Sequence, residues 1–276
     1  MGTALLKGWL RNESPDGDHD ELKFSACVRS QASLERLEKQ FYSAIQKQCC
    51  SFAKGDSAAA RMAAEADVVI LGCAPSDYDA VLRIEGMPQT LETRIVVSLL
   101  AGVSYQQLID GLLSRGAKSG DSLRLARVLP TLGARIGDSV SLLAGLPQTE
   151  YPPDHTSAIT SLFGRIGSVD VVPENLFAET TALGATCHAL TIVAADTLAD
   201  ASAADGIPRN LALNIVARCL QSANGLLDSG MTTAELKDAM AIPTGITINT
   251  VLQLEREARP AIADSLRHAI SYTRGM

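Results

Sequence analysis

Pro173 divides this 276-residue sequence into two textures, and that division limits the fold more than any single motif. Ahead of it, short β-branched runs alternate with helical stretches; behind it, the periodicity is helical throughout. Residues 66–73, ADVVILGC, are the clearest buried strand, a compact apolar run ended by Gly72. Residues 22–28, 94–99, 123–129 and 140–144 read as further strands. Residues 2–11, with Ala4, Leu5, Leu6, Trp9 and Leu10 on an apolar side, read as a first helix, and 33–48 as another. The acidic, Gly/Pro-containing stretch 12–21 reads as a loop, and Ala101–Ser104 as a turn into a helix. Strand–helix alternation over the first ~150 residues argues an α/β layer with a mostly parallel sheet.

The second half predicts an alanine-rich helix over 174–204, then a helix opened by Pro208 and running to about Asp228. Thr232 and Glu235 have the spacing of a capping box ahead of a third helical run, and 259–274 reads as a closing helix. Alanine-rich faces suit tight helix–helix contact, including contact between two subunits. The expected fold class is therefore α/β followed by all-α, with a first domain over 1–150 and a second over 151–276.

Composition removes several function classes. Formal net charge is −7 and no Lys/Arg block stands out, so the surface repels phosphate backbones and a nucleic-acid partner is not expected. No apolar run is read as reaching the roughly 20 residues that span a bilayer. No secretory signal is read at the N-terminus, and the expected location is cytoplasmic. The six cysteines show no CxxC or Cys/His ligand spacing, which predicts reduced thiols and no metal site.

The chemistry concentrates at residues 236–255, where two helical runs meet at Pro243-Thr244-Gly245. A helix start leaves backbone N–H groups without internal partners and carries partial positive charge. An anion or polar substrate atom could dock on Gly245 and Ile246, with the Thr247 hydroxyl as an added donor or acceptor. An ordinary helix–turn–helix corner is the other reading.

This stretch resembles the signature of the pyrroline-5-carboxylate reductase family, L-K-D-x-V-T-S-P-G-G-T-T-I-x-x-L-x-x-L-E. Leu236, Lys237, Asp238, Pro243, Gly245, Thr247, Ile248, Leu254 and Glu255 fit it in register. Residues 1–8 are similar to the family's N-M-G-x-A-L-x-x-G, 66–71 to A-D-V-V-I-L, 97–104 to V-S-I-A-A-G-V-S, and 127–130 to R-V-M-P. Glu174 and Thr181-Ala182-Leu183 fall at the entry to the family's helical domain. The resemblance implies an incomplete Rossmann-like domain followed by a helical dimerisation domain, a homodimer or higher oligomer, and NADP(H) as cofactor. It places Gly2, Arg29, Ser30, Ala74 and Pro75 at the cofactor, with Arg29 facing the adenosine 2′-phosphate. A solvated arginine at a strand end is the alternative for Arg29. The substrate carboxylate would meet the turn of Ile242, Gly245 and Ile246, and Thr247 would face the imine nitrogen.

The departures bear on function. The family motif begins with a strand and G-x-G-x-M-G, whereas the first residues here match only the end of that motif, so either further residues precede Met1 or the dinucleotide grip is weakened and strand edges are left unpaired. The family's lysine in A-V-K-P is Ala74, the asparagine in P-N-T is Thr131, and the serine ahead of the signature proline is Ile242. His188 stands where the family has proline, as a proton donor or acceptor near neutral pH or as a hydrogen-bonded core histidine. Glu174, Glu179 and Glu255 read as structural, Asp196, Asp200 and Asp205 as a solvated edge, and a Cys187–His188 dyad is disfavoured by helical geometry. Three functions follow: NAD(P)H-dependent reduction of a cyclic imine other than the proline precursor, a cofactor-independent cyclisation or isomerisation in specialised metabolism, or an inactive paralogue.

Overall fold

A computed structural model describes residues 1–11, 22–118, 123–145 and 153–274. The expected loop at 12–21 lies outside them. The chain forms two compact units, Met1–Thr180 and a second from Thr181 onward.

In the first unit, helix α1 (Gly2–Arg11) leads to β1 (Phe24–Val28), α2 (Gln31–Gln40), α3 (Tyr42–Gln46), β2 (Cys50–Lys54) and α4 (Asp56–Glu65). Strand β3 (Val68–Leu71), α5 (Tyr78–Leu82), α6 (Met87–Glu92), β4 (Ile95–Ser98) and α7 (Tyr105–Leu113) follow. The unit closes with β5 (Arg124–Leu129), β6 (Ser139–Gly145), α8 (Pro153–Gly164) and β7 (Gly167–Pro173). Strands β3, β4 and β5 run parallel, with Val97 opposite both Ile70 and Ala126. β6 is antiparallel to β5, and β7 is parallel to β6. Strands β1 and β2 form a separate parallel pair, so the strands make two sheets, β1–β2 and β3–β7.

Helix α1 ties these sheets together. Leu5 and Trp9 enter one core with Val97, Ala126, Phe163 and Ile166, against which Phe24 of β1 and Val68 and Ile70 of β3 also pack. The Trp9 ring stacks on Phe24 at 5.3 Å and donates from its indole nitrogen to the Leu162 carbonyl at 2.8 Å. Gly8 lets α1 reach this depth, because a Cβ there would stand 2.1 Å from the Ala134 carbonyl oxygen. β1 and β3 thus share a helix while no ladder joins them among the described residues. Their strand residues are mostly only partly buried, unlike those of β4 and β5.

The expected strands appear within a residue or two of their predicted places. The helix expected over 33–48 is instead two, because Phe41 leaves helical geometry at φ −112°, ψ 23° and buries its ring beside Leu37. β2, α4, α8 and β7 were not expected. The units divide after Thr180 because α8 supplies Ile159 and Phe163 to the first unit's core.

The second unit begins within α9 (Phe177–Ala204) and continues through α10 (Arg209–Asp228), α11 (Thr233–Ala239) and α12 (Ile246–Arg274). Pro208 is the N-cap of α10, and the Thr232–Glu235 capping box opens α11. The closing helix is longer than expected: α12 runs through Pro260 without interruption. The expectation that no run is apolar enough to span a bilayer is also corrected. Residues Glu174–Ala204 meet that standard by length and composition, since no charge falls between Glu179 and Asp196.

Candidate active site

Two sets of residues carry the predicted chemistry, one in each unit. In the first unit they gather at the carboxyl ends of β1 and β3. Parallel strands direct every carboxyl end to one edge, and loops at that edge are where open α/β sheets bind ligands. Arg29 follows β1 directly, with its side chain 77% exposed. Its guanidinium meets the Asp77 carboxylate in a two-pronged contact, Nη1 to Oδ1 at 2.9 Å and Nη2 to Oδ2 at 2.9 Å. Asp77 sits in the 3₁₀ turn Pro75–Asp77 after β3, where its N–H donates to the Ala74 carbonyl at 2.9 Å. Arg29 and Asp77 therefore close across the interval between the two sheets. Both act on the half-buried Cys73 thiol, whose pKa burial raises, with Asp77 raising it further and Arg29 opposing.

Ser30 has a local task. Its hydroxyl caps α2, accepting from the Ser33 N–H at 3.2 Å and donating to the Ser33 hydroxyl at 2.9 Å. Ala74 and Pro75 are exposed and offer no charged group where a lysine was expected by resemblance. Gly2 starts α1, and a Cβ there would meet nothing within 4 Å. This edge thus sets a forked guanidinium beside the capped start of α2 and the turn after β3. An open depression lies elsewhere, against Lys23, Phe24, Gln48 and Cys49 at the opposite ends of β1 and β2.

In the second unit the corner between α11 and α12 is a tight turn. The Gly245 N–H donates to the Ile242 carbonyl at 2.9 Å, with Pro243 and Thr244 between them. Thr244 has φ +66°, a left-handed backbone where such turns favour glycine. Gly245 precedes α12, so Ile246 and Thr247 are its first two residues, and their N–H groups have no partner within the helix. Thr247 is exposed, as the docking reading requires, and the Ile242 side chain is 68% exposed at the mouth of the turn. Lys237 on α11 pairs with Glu255 on α12, and Arg259 reaches the same carboxylate at 2.5 Å. Those contacts, the Lys237 hydrogen bond above all, hold the Glu255 carboxyl down to about 2. Glu255 is structural, as expected: it pins the two helices around the turn.

His188 is exposed on α9, and its Nδ1 lies 3.0 Å from the Gly184 carbonyl. A carbonyl only accepts, so in the neutral ring Nδ1 holds the proton and Nε2 keeps its lone pair open. No hydrogen bond joins His188 to the Thr247 corner among the described residues. Asp196 and Asp200, read as a solvated edge, both pair with Arg209. Sequence reasoning assigned no role to Asp77, Arg127 or Lys237. An acid just after a predicted strand end, facing an arginine after another, was the signal available for Asp77.

The pyrroline-5-carboxylate reductase of Lophium arboricola is 30% identical over 98% of this chain and 88% of its own length. The chain belongs to the pyrroline-5-carboxylate reductase family. A signature described as pyrroline-5-carboxylate reductase dimerisation matches residues 174–276, and one described as NADP oxidoreductase coenzyme F420-dependent matches 1–102. The fold agrees with the NADP-bound pyrroline carboxylate reductase of Plasmodium falciparum, at TM-score 0.79 and 16% identity over 100% of this chain and 94% of that one. It agrees equally with 1-pyrroline-5-carboxylate reductase from Streptococcus pyogenes, at TM-score 0.79 and 24% identity over 100% and 95%. The pyrroline-5-carboxylate reductase family is NAD(P)H-dependent, with a Rossmann-like domain ahead of the helical one.

Proposed function

We propose that the chain reduces a cyclic imine with NAD(P)H, that this imine lacks the carboxylate of the usual proline precursor, and that it does so as a homodimer. The corner carries the reading: Thr247 stands at an open helix start while Ile242 presents an apolar side chain in place of a hydroxyl. An apolar group there gives no hydrogen bond to offset the desolvation of a carboxylate. A helix start with a hydroxyl still suits an electron-rich nitrogen.

The bound dinucleotide supplies the hydride. Arg29 would hold its phosphate, with Ser30, Ala74 and Pro75 at the same edge and Gly2 assigned to the cofactor by resemblance. Gly245 and Ile246 shape the substrate turn, and Thr247 donates a hydrogen bond that orients the imine nitrogen. His188, when protonated at Nε2, provides the proton that the nitrogen gains as its carbon is reduced. Dimerisation is supported by α9, whose apolar residues spread around the whole helix, with Leu183, Ile192, Val193 and Leu198 more than half exposed in the single chain.

Nicotinamide fluorescence on titration with NADPH, followed by NADPH oxidation against matched cyclic imines with and without a carboxylate, tests this. The expected result is binding and preferential turnover of the carboxylate-free imine, with Ile242→Ser shifting preference toward the carboxylate. Preference for the carboxylate imine in the native protein would overturn the substrate assignment. Turnover without any cofactor, lost in Thr247→Ala, would replace reduction with cyclisation or isomerisation. Binding of no ligand by a folded dimer would mean an inactive paralogue.

A further inference from the structure

The Arg29–Asp77 contact bears on which dinucleotide the edge accepts, and we infer that Asp77 is a specificity-determining residue that disfavours the 2′-phosphate at Arg29. The inference rests on the reading that Arg29 meets that phosphate. Two forked N–H groups of the guanidinium are occupied by both oxygens of one carboxylate. That fork is the same two-donor geometry a phosphate uses. The two ligands therefore compete for one edge of Arg29.

Asp77 is the fixed member of the pair. Its side chain is 25% exposed against 77% for Arg29. It ends a 3₁₀ turn and is followed by Tyr78, a buried side chain whose hydroxyl donates to the Leu108 carbonyl at 2.7 Å. Arg29 sits at a strand end on a long, exposed stem, so it is the group that would turn toward a ligand. A phosphate that takes this edge of Arg29 must break both hydrogen bonds, and the carboxylate left behind stays close enough to repel it. Even at the dielectric of water, a like charge about 5 Å from a phosphate of nearly two negative charges changes affinity roughly tenfold. An unphosphorylated ribose does not meet this penalty, because it brings no charge and leaves the ion pair standing.

Binding of adenosine 2′,5′-bisphosphate and adenosine 5′-monophosphate, measured by calorimetry on the 276-residue chain, tests the inference without any turnover. These probes need only the adenosine end of the site. Asp77→Asn keeps the shape and the turn while removing the charge, and Asp77→Ser serves as a second variant. Both are expected to tighten the bisphosphate roughly tenfold while leaving the monophosphate within about twofold. Glu85→Gln, an equal change of net charge at another exposed acid, is expected to do neither.

Arg29→Ala separates the layers. If it weakens the bisphosphate but Asp77→Asn does not tighten it, Asp77 has no selective role and the Arg29 reading stands. If Arg29→Ala leaves the bisphosphate unchanged, the Arg29 reading fails, and this inference with it. Absence of bisphosphate binding by both native and Asp77→Asn proteins also overturns it, as does an equal gain in Glu85→Gln.

Discussion

The Arg127 guanidinium lies 4.4 Å above the centre of the Phe177 ring, at the point where β5 meets the start of α9. It also donates from Nη1 to Glu174, and both partners are largely enclosed, at 9% and 20% side-chain exposure. Arg127 Nε and the second Glu174 oxygen have no hydrogen-bond partner among the described residues. The pair is thus incompletely satisfied, and its effect on stability depends on both members staying in place.

Removing one member of a buried pair leaves an uncompensated charge, which costs about 3 kcal/mol. Glu174→Gln or Arg127→Met should lower the urea midpoint of the first unit accordingly. The double replacement Arg127→Met with Glu174→Leu should recover most of that loss, because it buries no charge. Equal losses in single and double variants would show that packing, rather than the charge, is responsible.

Thr244 holds a left-handed backbone that a β-branched residue adopts at a cost of about 1–2 kcal/mol. Glycine removes the strain but adds up to about 1 kcal/mol of unfolded-chain entropy. Thr244→Gly should therefore stabilise the second unit by roughly 0.5–1 kcal/mol. Chemical denaturation followed by circular dichroism measures it, and a loss would mean that the Thr244 contacts outweigh the strain.

Glu255 titrates at about 2 in the folded chain because Lys237 and then Arg259 hydrogen-bond to it. Its unfolded value is about 4.3. The folded pKa is the lower one, so this contribution is complete above the unfolded value and is lost as pH falls toward about 2. Solvent contact keeps it small. Carboxyl NMR should find Glu255 still ionised at pH 3, and Lys237→Met should move its midpoint upward.

Thr247→Val keeps the shape of the helix start but removes the hydroxyl. If Thr247 orients the imine nitrogen, kcat/KM should fall by about ten- to a hundredfold with the melting temperature nearly unchanged. A variant with native rates would assign the corner a structural role alone.

Much of this was legible in the sequence where structure follows local pattern. β3 and β4 are β-branched runs, and the capping boxes at Ser104 and Thr232 rest on side chains three residues apart. β2 was not legible, since Cys-Ser-Phe-Ala-Lys lacks β-branched residues and becomes a strand by pairing with β1. The break at Phe41 is set by where its ring finds a core, and the continuity of α12 by how it absorbs Pro260; neither has a local marker. At the candidate site, the helix start at Thr247 follows from the Pro-Thr-Gly sequence, whereas the left-handed backbone at Thr244 runs against its β-branched side chain and has no local marker. The grip of Asp77 on Arg29 spans 48 positions, and only folding brings the two together.

The second unit has almost no interior of its own: among the described residues its buried side chains are Ala182, Ala199 and Ala212. Its free energy of folding therefore belongs in large part to whatever covers those helices. By mass action, the population of the ordered form rises with the concentration of the covering species. In the proposed homodimer, dilution becomes a denaturant for this half of the chain, and a stability measured at one concentration does not transfer to another.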